Sequence, residues 1–486
     1  MLGTATFCGM IYECFLSCSA QFKIGKHPML NELYVENFKA WNRLDIKLGQ
    51  VTGLFGTNSS GKSSLLQFLL MLKQTKNATD RGLVLDFGGP TGQLVNLGIY
   101  KDMIHLHDVK ARLKWRIQWT LKQKANISDP TKRRTEVLAS DSILTIRSVV
   151  HSNEPSLISD DLEYEFGGFH FSITPKKEGS PEFQLNSKSP VGSDFRFVRN
   201  KQRAWALPGP INTHLFPDQA KTYYQNAEFL SLFEAEYESM MDSIYYLGPL
   251  REYPKREYPW SGTSPIDVGL RGERTIEAIL AATSRNETRN LRHKSRRKPF
   301  QEMIAYWLKE LKLIETFEIA EIGKEANLYK AIVKRDRGSP PALLTDVGFG
   351  VSQVLPALVL LYYVPEGSTV ILEQPEIHLH PAVQSGLADA IMTVAKTRNL
   401  QVVIESHSEH MLRRFQRRVA QKEFESKDIK LYFCDNVAGQ SKLVDLDLDI
   451  FGQILNWPTA FFGDEMTEIA ETRKAILKRK MESTLA

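Results

Sequence analysis

Apolar and polar positions alternate where the chain first becomes patterned. Residues 30–38 (LNELYVENF) read as a half-buried strand, and residues 44–48 as its antiparallel neighbour. Residues 51–55 form a short apolar strand ending at glycine. A helix rich in Leu, Gln and Met is expected from about Lys62 to Lys73. Alternation returns over 111–122. There Leu113, Trp115, Ile117, Trp119 and Leu121 point one way, and Arg112, Lys114, Arg116 and Gln118 the other. Residues 142–147 and 164–173 repeat the pattern, each as one strand. A mostly antiparallel β lobe with long loops is therefore expected over 85–200.

From about 218 to 320 the period becomes helical. Phe300, Met303, Ile304, Trp307, Leu308 and Leu311 form one apolar stripe, and Pro and Gly interrupt 246–274. Sustained heptads are lacking, which excludes long coiled-coil arms. An α/β pattern resumes at Ala342: a helix after Gln353, a buried strand at 369–372, a second helix, then strands at 400–404 and 431–434. These shifts divide the chain into an N-terminal extension (1–28), the first part of an α/β core (29–110), a mainly β insert (111–217), a helical insert (218–340), the second part of the core (341–440) and a C-terminal tail domain (441–486).

Composition narrows the class a little further. With 486 residues the chain exceeds one compact core, and its net charge of +5 admits a nucleic-acid partner without requiring one. The longest apolar run, 354–364, is too short to cross a bilayer, so no membrane role is expected. Cys8, Cys14, Cys18 and Cys434 contain no Cys-x-x-Cys pair, which disfavours zinc and fits a reducing cytoplasm. Residues 1–28 lack the layout of a signal peptide, and Met29 opens the first patterned strand; the segment is expected to be dispensable.

The most specific chemistry lies between the third strand and the first helix. Gly56-Thr57-Asn58-Ser59-Ser60-Gly61-Lys62-Ser63 matches G-x-x-x-x-G-K-[ST] without a mismatch. Its glycines let backbone N–H groups wrap phosphate oxygens, and the helix N-terminus adds positive potential. Lys62 is expected to reach the terminal phosphates of ATP, and Ser63 to ligate Mg2+. Further on, 369–376 (TVILEQPE) is an apolar strand ending in acid, and 402–407 (VVIESH) is another ending in histidine. A glycine-rich turn opens a helix at 346–353 (DVGFGVSQ).

In this order the pieces resemble the ABC-type P-loop ATPases that include SMC proteins and the overcoming-lysogenization-defect family. EQPEIHLHP is similar to their extended Walker B, IESHSEHML to their switch-histidine strand and DVGFGVSQ to their signature. NWPTAFFGDE resembles a narrower AAA-type prokaryotic group with an uncharacterised C-terminal domain, found beside anti-phage genes. The resemblance implies an α/β, ABC-type P-loop ATPase head with an inserted antiparallel β lobe and a helical lobe. It implies phosphate binding by Gly56, Asn58, Ser60, Gly61, Lys62, Ser63 and Ser64, and Mg2+ binding by Ser63 and Glu373. It also implies a nucleotide contact in trans by Gly348, Gly350, Ser352 and Gln353, in a homodimer or higher oligomer formed through the heads.

One departure bears on catalysis. The acid that polarises the attacking water normally follows the Mg2+ acid, yet Gln374 follows Glu373, and glutamine accepts no proton. Glu376, with Gln374 and His407, is then the expected catalytic set; Glu405 competes for the base, and slow turnover is the third reading. His378 and His380 read as a turn rather than a metal cluster, and Asp445, Asp447 and Asp449 as a strand end rather than a nuclease centre. Arg292, Lys294, Arg296 and Arg297 are candidate contacts to DNA or RNA. The function expected is the ATPase of a prokaryotic defence system acting with a separate effector, a nuclease. A DNA-repair or chromosome-organising ATPase and an autonomous nuclease are the alternatives.

Overall fold

The computed structural model describes residues 29–89, 94–131, 137–153, 156–177, 179–201, 205–291, 295–323, 327–458 and 472–476. The extension 1–28 with its three cysteines, Arg292, Lys294 and most of the NWPTAFFGDE motif lie outside the described residues.

The first half of the chain contains β1 (Met29–Phe38), β2 (Trp41–Lys47), β3 (Val51–Gly56), α1 (Lys62–Asn77), the short α2 (Tyr100–Met103), β4 (Leu113–Ser128), β5 (Val137–Asn153), β6 (Ser156–Phe166), β7 (Phe169–Pro175) and β8 (Phe183–Lys188). Next come α3 (Asp218–Tyr223), α4 (Leu230–Asp242) and β9 (Ile244–Leu247). Seven strands form one antiparallel sheet in the order β2-β1-β4-β5-β6-β7-β8. Its inner face carries Trp115, Trp119, Tyr164 and Phe171, all fully buried. The apolar side of α4 covers that face, with Tyr237 against both tryptophans and Phe233 stacked on Tyr164.

Two expectations change here. The stretch 164–173 is not one strand: Gly167 and Gly168 both take positive φ and fold it into the β6–β7 hairpin, a turn that two adjacent glycines make cheaply. The boundary expected at 110/111 falls inside a sheet, because β1 pairs with β4 over 29–36.

The second half adds β10 (Tyr258–Pro259), α5 (Thr275–Ser284), β11 (Thr288–Asn290), β12 (Arg297–Pro299), α6 (Phe300–Glu310), β13 (Thr316–Glu321), β14 (Leu328–Lys334) and β15 (Ala342–Leu343). They are followed by α7 (Phe349–Tyr363), β16 (Thr369–Glu373), α8 (Pro381–Arg398), β17 (Gln401–Glu405), α9 (Glu409–Ala420), β18 (Ile429–Val437) and β19 (Gln440–Asp445). The central sheet runs β19-β18-β3-β17-β16-β9, parallel except for its edge strand β19. Strands β16 and β17 are buried at every residue, as parallel strands covered on both faces must be. Thus β9, expected in the helical insert, and β19, expected in the tail domain, both belong to the core sheet. The fold is an α/β core carrying an antiparallel β lobe and a second lobe in which α5 and α6 accompany a small sheet of β10, β13, β14 and β15.

Gln401 is among the side chains that join the lobe to the core. Gln401 Oε1 accepts from the Leu30 amide at 3.0 Å and from Thr369 Oγ1 at 3.1 Å. Its Nε2 donates to the carbonyls of Leu30 at 2.8 Å and Gly49 at 3.0 Å. Gln401 is fully buried, so nothing else can satisfy these groups. Gln401→Leu is expected to lower stability by roughly 3 kcal/mol or more, because it strands several buried partners. The urea midpoint checks this, against an unchanged Glu→Gln control at the exposed Glu310.

Candidate functional site

The loop between β3 and α1 has the backbone that its glycines foretell. Gly56 has φ 135°, and a Cβ there would lie 2.0 Å from the Cys434 carbonyl oxygen. Gly61 has φ 90°, and a Cβ would meet Ser441 Oγ at 2.4 Å and Trp41 Nε1 at 2.9 Å. No side chain fits either position. The Trp41 indole N–H donates to the Gly61 carbonyl at 3.0 Å, so the start of β2 braces the loop.

Lys62 is buried, and its ammonium donates to the carbonyls of Gly56 at 3.2 Å and Thr57 at 2.6 Å and to Ser60 Oγ at 3.3 Å. Burial holds its pKa below the usual lysine value, against the opposing pull of Glu405. A cleft of about 360 Å³ opens here, lined by Lys39, Ala40, 58–64, Gln374, Glu405 and His407. It contains Asn58, Ser60, Gly61, Lys62, Ser63 and Ser64 of the expected phosphate set.

The acid nearest the loop is Glu405. Parallel pairing sets Glu373 of β16 in register with Glu405 of β17, and of these two strands β17 is the one beside β3. Ser63 Oγ donates to Glu405 Oε1 at 2.9 Å, while Glu405 Oε2 is buried without a partner. A hydroxyl beside an orphaned carboxylate oxygen is a donor set that suits Mg2+, a hard cation bound through oxygen. Glu373 lies one strand further out and accepts from the Tyr246 hydroxyl at 3.1 Å. Burial, and then the Glu405 charge, push its pKa up to about 7.

Glu376 is placed differently from the expected catalytic role. Its Oε1 accepts from Ser406 Oγ at 2.7 Å and from the His407 amide at 2.8 Å, and it does not line the cleft. This carboxylate shapes the turn after β17. Gln374 and His407 do line the cleft. Gln374 holds φ 42°, fixed by its amide donating to the Glu405 carbonyl at 2.8 Å. Burial and then Lys62 lower the pKa of His407, which keeps its ring neutral near pH 7.

The remaining candidates lie elsewhere. Gly348 is the N-cap of α7 and Gly350 sits in its first turn, while Ser352 turns inward and donates to the Phe349 carbonyl at 2.8 Å. Gln353 is half-buried, and none of these four lines the cleft. His380 caps α8, its Nδ1 accepting from the Ala382 amide at 3.3 Å. Asp449 accepts from the amides of Phe451 and Gln453, each at 2.8 Å, and so staples a turn. Arg297 donates to the Thr288 carbonyl across the β11–β12 hairpin, and Arg296 is exposed. Among the described residues no helix is long and apolar enough to cross a membrane. Lys39, which sequence reasoning missed, occupies the β1–β2 turn with φ 49°, and its ammonium donates to Gln67 Oε1 at 2.6 Å.

Residues 123–413 match the family described as "AAA domain, putative AbiEii toxin, Type IV TA system". Residues 29–191 match an AAA ATPase domain, and 425–471 a family of unknown function. No curated protein matches. Among solved structures, the chain is similar to an SMC head bound to the C-terminal winged-helix domain of ScpA, at 14% identity over 86% of this chain and 98% of that one, TM-score 0.40. It is also similar to the Smc head with an extended coiled coil bound to the C-terminal domain of ScpA from Pyrococcus furiosus, at 13% identity over 92% and 100%, TM-score 0.43. The SMC head from Thermotoga maritima matches at 12% identity over 86% and 99%, TM-score 0.35.

The Glu373 shift has a consequence for stability. A carboxyl raised from an ordinary 4.5 to about 7 in the folded chain favours folding only while protonated, so stability falls as pH rises through that window. The loss is on the order of 3 kcal/mol above pH 7. Without nucleotide, Glu373→Gln is expected to melt higher than wild type at pH 8 and no higher at pH 4.5, as thermal scans at the two pH values would show.

Proposed function

The chain belongs to this AAA-domain family of P-loop ATPases, and from that premise we propose that it binds Mg-ATP in the cleft between the β3–α1 loop and the end of β17 and hydrolyses it slowly. The Ser63–Glu405 contact carries this reading, since it sets an acid with a free buried oxygen against the loop hydroxyl. Backbone amides of 58–63 would receive the phosphates, with Lys62 leaving its loop carbonyls to meet them. Ser63 and Glu405 would hold Mg2+, with Glu373 as the carboxylate behind; the ion would supply charge neutralisation on the phosphates. Gln374 and His407 supply neutral groups at the cleft rim that can orient a water by hydrogen bonding.

Two copies are proposed to pair through the exposed turn at Gly348 and Gly350, each turn meeting the nucleotide held by the other copy. Gly348 and Phe349 are exposed and a Cβ at Gly348 meets nothing, which leaves that surface open to a second subunit. The wider role proposed is the ATPase component of a prokaryotic defence system acting on a separate effector, a nuclease. The family description, which names a toxin–antitoxin system, supports a two-component role.

Calorimetry tests the cleft: Lys62→Ala is expected to lose Mg-ATP binding, and wild-type affinity in that variant would remove the assignment. Single-turnover assays separate the acids. Glu405→Gln is expected to lose about 10²-fold or more in rate. Glu376→Gln is expected to keep turnover within about tenfold, because an amide oxygen can still accept from Ser406 and His407. The reverse ranking would restore Glu376 to the catalytic role. Sedimentation with a non-hydrolysable analogue tests pairing, which should rise with nucleotide.

A further inference from the structure

Between β9 and α5 the chain crosses the end of β16, and one residue of this crossing has no explanation in packing. Arg251 is nine-tenths buried, with Nη2 3.5 Å from the Glu373 carbonyl oxygen. Its Nε and Nη1 are buried without partners, as is Glu376 Oε2. Around it lie the Tyr246 phenol and the Glu373 and Glu376 carboxyls. A buried guanidinium with idle donors is expensive to keep, and an apolar side chain of similar volume would fill the space more cheaply.

The same segment reaches the glycine turn. Tyr253 is exposed and packs edge-on against Phe349 at the first position of α7, ring centroids 6.1 Å apart. Arg256 pairs with Asp346 at 3.0 Å, just before that turn. The amides of Gly248 and Glu252 donate to the carbonyls of Leu270 and Arg271, each at 2.9 Å, which fixes the segment to the chain ahead of α5. The six residues from Arg251 to Arg256 thus reach the end of β16 on one side and the turn before α7 on the other.

We propose that Arg251 is a positioning residue, and that residues 248–258 form a tie that couples the acids at the ends of β16 and β17 to the glycine turn which the same subunit offers to a second copy. The idle donors of Arg251 and the idle Glu376 oxygen lie in one buried patch, so a rearrangement of the acids on nucleotide loading changes what Arg251 can bond. Tyr253 and Arg256 carry that change to Phe349 and Asp346. The inference rests on the nucleotide reading above, and deepens it by naming how occupancy of one cleft reaches the pairing surface.

The test uses the full chain with Cys8, Cys14 and Cys18 changed to Ser, Gly348→Cys bearing a fluorophore that tryptophan quenches on contact, and Tyr253→Trp as quencher. Buried Cys434 stays unlabelled. Sedimentation follows pairing in the unlabelled chain that keeps Gly348 and Tyr253; into the labelled chain Mg-ATP is titrated with fluorescence and calorimetry read together. In this background Mg-ATP is expected to change the fluorescence at the concentration at which calorimetry saturates. Arg251→Met is expected to bind Mg-ATP with unaltered affinity at protein concentrations too low for pairing, to lose the fluorescence change, and to pair about tenfold more weakly, a usual size for coupling between sites. Arg251→Lys, which keeps the charge, should restore part of both signals. An Arg251→Met chain that responds and pairs like its parent overturns the proposal. Should Arg251→Met melt early, Tyr253→Ala in the unlabelled chain cuts the tie at its exposed end: unchanged pairing overturns the proposal, and weakened pairing at unaltered affinity supports it. If the parent itself binds no Mg-ATP, the nucleotide reading fails first, an outcome distinct from failure of the tie alone.

Discussion

Two carboxylates side by side at the mouth of a parallel sheet govern this molecule. The register of β16 on β17 leaves Glu373 and Glu405 no choice but proximity, and both are buried. Like charges in a poorly solvated place raise one another's pKa. The surroundings answer with Ser63 and Lys62 on Glu405 and with Tyr246 and Arg251 on Glu373. These groups come from the start of α1, from β9 and from the segment after it, so the P-loop, the edge strand β9 and the central strands must all be in place for the pair to be tolerable. The site and the fold are in this sense one problem, since the strand order that buries the acids is also the order that delivers them to the loop.

Much of this was legible from residue order. The P-loop octapeptide carries its own geometry, because Gly56 and Gly61 take conformations and spacings open to no other residue. The apolar runs ending in acid or histidine gave β16 and β17 within a residue. What failed to show was pairing across distance. Nothing local in residues 30–38 says that their second neighbour is β4, some eighty residues later, or that Gln401 will hold Leu30. Glu405 had a visible signal, an acid closing a buried strand two residues before His407. Its rank over Glu376 needed the strand order, which puts β17 and not β16 against β3. The Gly167-Gly168 pair was a readable turn that the surrounding alternation concealed. Lys39 could not be found, because a turn residue shows no periodicity and its placement depends on the lobe.

The tie between cleft and turn follows from the same economy of elements. The irregular segment that crosses the end of β16 meets Glu373 there through Arg251. Residues 248–274, rich in Pro and Gly, hold only the two-residue strand β10, yet the amides of Gly248 and Glu252 are bonded to Leu270 and Arg271, which stiffens the crossing with little regular structure. Stiffness is the property that a mechanical connection requires.

The placement of β3 has a consequence for how the chain is made. Its neighbours in the sheet are β17 and β18, which leave the ribosome some 350 residues after it. At ordinary rates of synthesis, about 5–20 residues per second, that gap lasts tens of seconds. Throughout it the most apolar strand of the N-terminal region stands without either partner, and Leu30 waits for the glutamine that will hold it. The nucleotide loop is thus among the first parts of this protein to be translated and among the last to be built, and a nascent chain halted before β17 carries the whole P-loop motif with no P-loop.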